Sequence, residues 1–172
     1  MALDFLGCKL NQAENQELAR QLEAAGYTIV EPSQKADIYV LNTCSVTVTA
    51  DRKSRHLLRM ARRRNPSARL IAIGCYAERA PKELAGIEGV ELVLGNEKKL
   101  DLPQLLGNVS TPEKLALPRR EVNRTRAFLK IQEGCRNYCA YCIVPYVRNK
   151  EASVPADNVK LSIQRLRVTG SR

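Results

Sequence analysis

Three cysteines, Cys135, Cys139 and Cys142, stand at the spacing C-x3-C-x2-C within Gly134-Cys135-Arg136-Asn137-Tyr138-Cys139-Ala140-Tyr141-Cys142. Thiols this close in sequence cannot all face one apolar interior. Soft thiolates gathered in a loop select iron–sulfur clusters, zinc or copper. A structural zinc site normally closes with four protein ligands, whereas a cubane iron–sulfur cluster held by three cysteines keeps one iron open to an outside ligand. Three further cysteines, Cys8, Cys44 and Cys75, lie far apart in the chain.

The elements that must carry these thiols are legible as alternating strands and helices. Residues 3–6 read as a short apolar strand ending at Gly7-Cys8, and residues 12–25 as a helix, with Leu18 and Leu22 one turn apart and Gly26 as its stop. Residues 27–30 are β-prone. Residues 37–42 form a strand running directly into Thr43-Cys44, and residues 51–64 a helix with Leu57, Leu58 and Ala61 as its apolar stripe, ended by Asn65-Pro66. Residues 69–73 form a strand ending at Gly74-Cys75. A short helix is expected over 81–84, a strand over 91–94 and a helix over 97–106. This alternation predicts an α/β fold, an open parallel sheet over residues 1–106. Each of Cys8, Cys44 and Cys75 then follows the end of a strand. The carboxyl ends of a parallel sheet share one edge, where ligands bind, so the three thiols are expected to converge.

Composition narrows the class further. The chain has 172 residues, enough for one domain or a little more. Aromatics make up only 5% with no Trp, so the core must rest on Leu, Ile, Val and Ala. The net charge of +10 favours a polyanionic partner, nucleic acid before membrane. Much of that charge sits on the second helix, where Arg52, Arg55, Arg59 and Arg62 recur at i, i+3, i+7 and i+10 and share one face. Such a stripe can follow a phosphate backbone without reading bases. The lone His56 lies on the same helix and is expected to be solvated or packed, not a ligand. No apolar run approaches the roughly 18 residues of a membrane span, and the first residues lack the basic and apolar regions of a signal peptide. Six cysteines without export point to reduced thiols in the cytoplasm.

Residues 107–125, with Pro112 and Pro118, read as a linker. Residues 126–132 alternate as a strand feeding the cysteine loop, and residues 157–167 carry Val159, Ile163 and Leu166 at helical spacing.

The C-x3-C-x2-C motif with Tyr141 before its last cysteine resembles the signature of radical S-adenosylmethionine (SAM) enzymes. Leu6-Gly7-Cys8-Lys9-Leu10-Asn11-Gln12, Leu41-Asn42-Thr43-Cys44-Ser45-Val46-Thr47 and Ile73-Gly74-Cys75-Tyr76-Ala77 resemble the three cysteine motifs of the methylthiotransferase amino-terminal domain. Together these resemblances cover residues 1 to about 155. Asp51-Arg52-Lys53-Ser54-Arg55 is most similar to the branch acting on N6-threonylcarbamoyladenosine in tRNA.

The resemblance implies two 4Fe-4S clusters. Cys135, Cys139 and Cys142 would hold the one that cleaves SAM to a 5′-deoxyadenosyl radical, with Tyr141 beside SAM. Cys8, Cys44 and Cys75 would hold an auxiliary cluster that takes the sulfur to be transferred. The radical would remove hydrogen from C2 of the modified adenine next to the anticodon. Sulfur would be inserted there, and a second SAM would supply the methyl group. The partners implied are tRNA, SAM, a sulfur donor and an electron donor. The strand at 126–132 and the helix after it would be the first of a partial (β/α) barrel spanning 126–172, with the cysteine loop at its carboxyl end. Other readings are another methylthiotransferase branch, acting on isopentenyladenosine in tRNA or on a ribosomal protein, or a non-catalytic iron–sulfur or zinc RNA-binding protein. Two departures stand out. The sequence ends at Arg172, one strand and one helix into the barrel, which reads as a truncated product whose turnover would be poor. Family members usually have Arg-Gly after the Pro-Tyr segment and a further Arg before the Ser. Here Asn149 follows Arg148 and Ala152 precedes Ser153.

Overall fold

A computed structural model describes residues 1–107 and 128–168. Four parallel strands, β1 (Ala2–Phe5), β2 (Ile38–Thr43), β3 (Arg69–Gly74) and β4 (Val90–Leu94), form one sheet in the order β1-β2-β3-β4. The predicted α/β architecture is therefore present. Residues 27–30 contribute only a bridge, Val30 to Ala2, on the free side of β1.

Side chains of β2 and β3 alternate between two cores, as the pleat requires. Tyr39, Leu41, Leu70 and Ala72 pack against Leu58 and Ala61 of α2 (Val48–Arg64), Tyr76 of α3 (Cys75–Arg79) and Leu84 of α4 (Pro81–Ala85). Val40, Ile71 and Ile73 pack on the opposite face against Leu18, Ala19 and Leu22 of α1 (Lys9–Ala24) and Leu102 of α5 (Leu102–Leu105). Strands buried on both faces read as near-continuous apolar runs, as residues 69–73 do.

The split of helices between faces follows from the chain path. After α1 the chain passes outside β1 at Val30 and returns to add β2, β3 and β4 in the other direction. Right-handed crossovers then put α1 on one face and α2 to α4 on the other. Counting the Val30 bridge as an outer strand gives the doubly wound order 2-1-3-4-5, whose ligand crevice opens between β1 and β2.

Three elements differ from the sequence reading. The helix expected over 97–106 is a 3-10 turn (Lys99–Asp101) followed by the four-residue α5. Pro103 has no N–H to donate and suits only a first turn, so a helix restarts there instead of running through. The short α3, beginning at Cys75 itself, was not expected. Of the strand expected over 126–132, residues 126 and 127 lie outside the described residues, and among the rest the only strand is β5 (Gln132–Glu133), paired antiparallel with β6 (Ala152–Ser153). No parallel neighbour flanks it among the described residues, and its backbone groups pair across the loop instead. Helices α6 (Val144–Val147) and α7 (Ala156–Val168) follow the cysteine loop. Apart from Gly107, the linker reading lies outside the described residues. No helix among the described residues is long and apolar enough to cross a membrane.

Candidate metal centre

Register brings the first three cysteines to one level. Thr43 of β2 pairs with Gly74 of β3, so Cys44 and Cys75 leave adjacent strands side by side. Phe5 of β1 pairs with Asn42, and the ladder continues through Leu6 N–H to the Asn42 carbonyl at 2.9 Å, which carries Gly7-Cys8 to the same edge. Neighbouring strands lie about 4.8 Å apart, so the three thiols share the crevice edge that the sequence predicts. Cys8 caps α1 and is exposed. Cys44 and Cys75 are buried, the latter as the first residue of α3.

Backbone and side chains are packed closely here. Gly7 has φ +99, and a Cβ on it would fall on the Cys44 thiol. Burial pushes the Cys44 thiol up, a backbone hydrogen bond from Val46 opposes this, and the charges of Cys75, Cys8 and Asp51 push it further. That Cys75 and Cys8 both act on Cys44 reflects their proximity to it. Among the described residues, however, no group of three His, Cys, Asp or Glu side chains is gathered tightly enough to hold a metal ion. The donor set is all sulfur, which fits an iron–sulfur cluster in chemistry.

The second set of cysteines lies in the loop between β5 and α6. Cys135 and Cys142 are half-buried and Cys139 is exposed, with the Cys142 N–H donating to the Cys139 carbonyl at 2.9 Å. Tyr138 holds a left-handed backbone at φ 47, and its ring meets Tyr146 edge-on at 6.0 Å. Tyr141 is 93% exposed, a ring presented to solvent.

What sequence reasoning missed is the charge cluster between the two sets. Glu14 of α1 is buried and receives Arg148 as a two-pronged pair, Nη1 to Oε1 at 2.8 Å and Nη2 to Oε2 at 2.9 Å. Lys99 Nζ approaches Oε2 at 2.5 Å and Lys130 Nζ approaches Oε1 at 2.9 Å. Burial opposes the charge on Glu14, but the hydrogen bonds and charges of Arg148 and Lys99 outweigh it and hold the carboxyl well below the usual carboxylate range. Burial likewise works against the Arg148 guanidinium, yet Glu14 raises it. Lys99 is lowered, by burial first and then by Arg148, with Glu14 opposing. Two asparagines tie this cluster to the sheet-edge thiols. Asn11 Oδ1 lies 3.8 Å from Cys8 Sγ and accepts from Arg148 Nη2 at 2.9 Å. Asn96 Nδ2 donates to Cys75 Sγ at 3.6 Å and to the Val147 carbonyl at 2.6 Å, while its Oδ1 accepts from Lys99 at 2.7 Å. A signal was present: Asn11 and Glu14 extend the Leu18/Leu22 stripe of α1 backwards, so they are polar residues on its core face.

The arginine stripe on α2 is divided in two. Arg55 stacks on Tyr76, donates to its hydroxyl and pairs with Glu83 at 3.5 Å, and Arg62 pairs with Glu88 at 3.4 Å. Arg52 and Arg59 are exposed and make no ion pair among the described residues. His56 is exposed.

Residues 1–95 match the family described as Uncharacterized protein family UPF0004. The chain is 36% identical over 185 residues to the threonylcarbamoyladenosine tRNA methylthiotransferase MtaB of Aquifex aeolicus, covering 99% of this chain and 45% of that protein. It is 36% identical to the protein of the same name from Bacillus subtilis, with 96% of this chain and 40% of that protein covered. It is 34% identical to the tRNA-2-methylthio-N(6)-dimethylallyladenosine synthase of Chloroherpeton thalassium, with 99% and 41% covered. The chain thus spans less than half the length of these curated relatives.

Proposed function

The chain belongs to the methylthiotransferase family through its UPF0004 domain, and from that premise we propose that it is the cluster-bearing amino-terminal part of a radical SAM methylthiotransferase acting on tRNA. The observation that carries this reading is the pairing of two three-cysteine sets, one at the sheet-edge crevice and one in a loop tied to the same edge. The relatives' names support tRNA as the substrate class, and the threonylcarbamoyl branch is favoured because the MtaB proteins of Aquifex aeolicus and Bacillus subtilis share 36% identity with this chain.

Cys135, Cys139 and Cys142 are the ligands we assign to the radical SAM cluster, and Cys8, Cys44 and Cys75 those of an auxiliary cluster. When bound, such clusters supply one-electron chemistry and a site for sulfur. The chain's own contribution is to leave Cys139 and Cys8 exposed, to keep Cys44 and Cys75 out of water, and to offer Tyr141 as a flat surface for the SAM adenine. A sulfur donor, an electron donor and the cytoplasm as the place of action complete the proposal.

The deciding experiment is iron, sulfide and zinc content after anaerobic reconstitution. It compares wild type, the Cys135/Cys139/Cys142→Ala triple and the Cys8/Cys44/Cys75→Ala triple. The expected result is two clusters in wild type and one in each triple. Zinc in place of iron, or a single cluster shared by both sets, would overturn the reading.

The RNA surface has its own test. We assign phosphate contact to Arg52 and Arg59 ahead of Arg55 and Arg62, because the latter two are engaged by Glu83 and Glu88. Arg52→Glu with Arg59→Glu is expected to weaken tRNA binding and lower the slope of log affinity against log salt by about 2, roughly one per lost phosphate contact. Fluorescence anisotropy across a KCl series measures it. An unchanged slope would reduce the stripe to a solvated face.

A further inference from the structure

We propose that the Glu14–Arg148 pair is a positioning joint that fixes the C-x3-C-x2-C loop against the sheet-edge thiols, so that the two sites keep one separation.

A continuous path of direct contacts runs between the sites. Cys8 Sγ meets Asn11 Oδ1 at 3.8 Å, and Asn11 accepts from Arg148 at 2.9 Å. Arg148 Nη1 reaches Glu133 Oε1 at 2.5 Å, two residues before Cys135. The Arg148 carbonyl also lies so close to Gly134 that a Cβ there would collide with it, as it would with the Lys150 carbonyl. The residue that grips Glu14 through its side chain therefore backs, through its main chain, the turn that presents Cys135. A second path joins Cys75 to Asn96, Lys99 and Glu14.

Stability alone does not account for this arrangement. The Glu14, Lys99 and Arg148 side chains are only 2–3% exposed, and a buried charge pair seldom outperforms apolar residues of the same volume. What a two-pronged guanidinium–carboxylate pair supplies is orientation, since both oxygens and both nitrogens must align. The hydrogen bonds that link residues 128–168 to residues 1–107 gather at this place: Lys130 and Arg148 on Glu14, Arg148 on Asn11, and Asn96 on the Val147 carbonyl. A loop held by one rigid fork keeps its bearing, whereas the same loop on a single flexible ammonium does not. Why a fixed separation matters rests on the reading of two cooperating clusters, but the joint itself does not depend on any metal.

The test needs no metal. In the 172-residue chain with Cys44, Cys75, Cys135 and Cys142→Ser, the two exposed thiols Cys8 and Cys139 take nitroxide labels, and pulsed dipolar spectroscopy gives their distance distribution. One narrow peak is expected. Arg148→Lys, which keeps the charge and loses the fork, and Glu14→Gln should each broaden it, while Glu91→Gln, at the exposed ion pair with Arg69 at the end of β3 opposite Cys75, should not. Should the serine background fail to fold, hydrogen exchange on the unaltered chain decides. Arg148→Lys should reduce protection over residues 133–143 by about tenfold or more while leaving β1 to β4 unchanged. A narrow, unshifted peak in Arg148→Lys, or exchange that rises evenly over sheet and loop, would overturn the joint. Failure of iron binding in the reconstitution experiment would remove the cluster reading and leave this geometry standing, so the two can fail separately.

Discussion

Glu14→Ala is expected to lower the free energy of unfolding by about 3–5 kcal/mol, the range for breaking a buried charge pair by removing one partner. The loss is large because Glu14 is the common acceptor of three cations. Without it, Lys99 and Arg148 remain buried with a positive charge each, and Glu133 is the nearby acid left to answer them. Glu14→Leu should fare no better, since it fills the volume but not the charge. A triple variant, Glu14→Leu with Lys99→Met and Arg148→Met, should regain most of the loss, because apolar groups of similar size commonly replace a buried ion cluster without penalty. Urea unfolding followed by circular dichroism measures all three. A Glu14→Ala change below about 0.5 kcal/mol, the scale of an ordinary surface substitution, would mean that the cluster is solvated in solution.

The same carboxylate sets an acid limit. Its folded pKa is depressed, so the unfolded chain takes up a proton first as pH falls. The stability it contributes is complete above the ordinary glutamate value of about 4.3 and is lost progressively as pH drops below that toward the depressed value. Melting temperatures of wild type and Glu14→Gln should therefore differ most at neutral pH and converge in acid. A constant difference down to pH 2 would show that the proton is not linked to folding through this group.

The parts of the molecule legible in sequence were those fixed by local pattern. Strand ends at Gly74-Cys75 and Thr43-Cys44 could be read because an apolar run stops there, and the sheet then had to bring those thiols to one edge. The start of α1 could not, because Lys9 to Asn11 carry no apolar period and the helix begins there through packing of its polar face on Arg148 and the sheet edge. Residues 128–131 belong to a segment that alternates as a strand does, but a strand also needs a neighbour, and pairing is not written in the segment itself. The arginines of α2 posed the same problem. Their shared face was visible, whereas Glu83 and Glu88, which claim Arg55 and Arg62, come from beyond β3. Glu14 shows the general limit. A carboxylate on the core face of a helix signals a buried partner, but nothing local says that the partner lies 134 residues away at Arg148.

Gly74→Ala is the second change expected to act strongly, and it tests how closely the site is built. Gly74 sits at φ 96 and ψ −156, a region open almost only to glycine, so any side chain there costs about 1–3 kcal/mol in backbone strain. A collision adds to this. The new Cβ would fall on Asn42 Oδ1 and crowd the Thr43 carbonyl. Asn42 is 1% exposed and its Oδ1 has no hydrogen-bond partner among the described residues, so it has no easy place to go. Relief must come from β2 and β3 moving apart at the point where Cys44 and Cys75 leave them. Gly26→Ala is the matched control: its φ is 90, but nothing lies within 4 Å of the added atom. Both variants should lose stability, Gly74→Ala more. Only Gly74→Ala should impair iron uptake by Cys8, Cys44 and Cys75, measured in the Cys135/Cys139/Cys142→Ala background. If the two variants lose the same stability and uptake at the sheet edge is unimpaired, the close approach of β2 and β3 plays no part in shaping the thiol site.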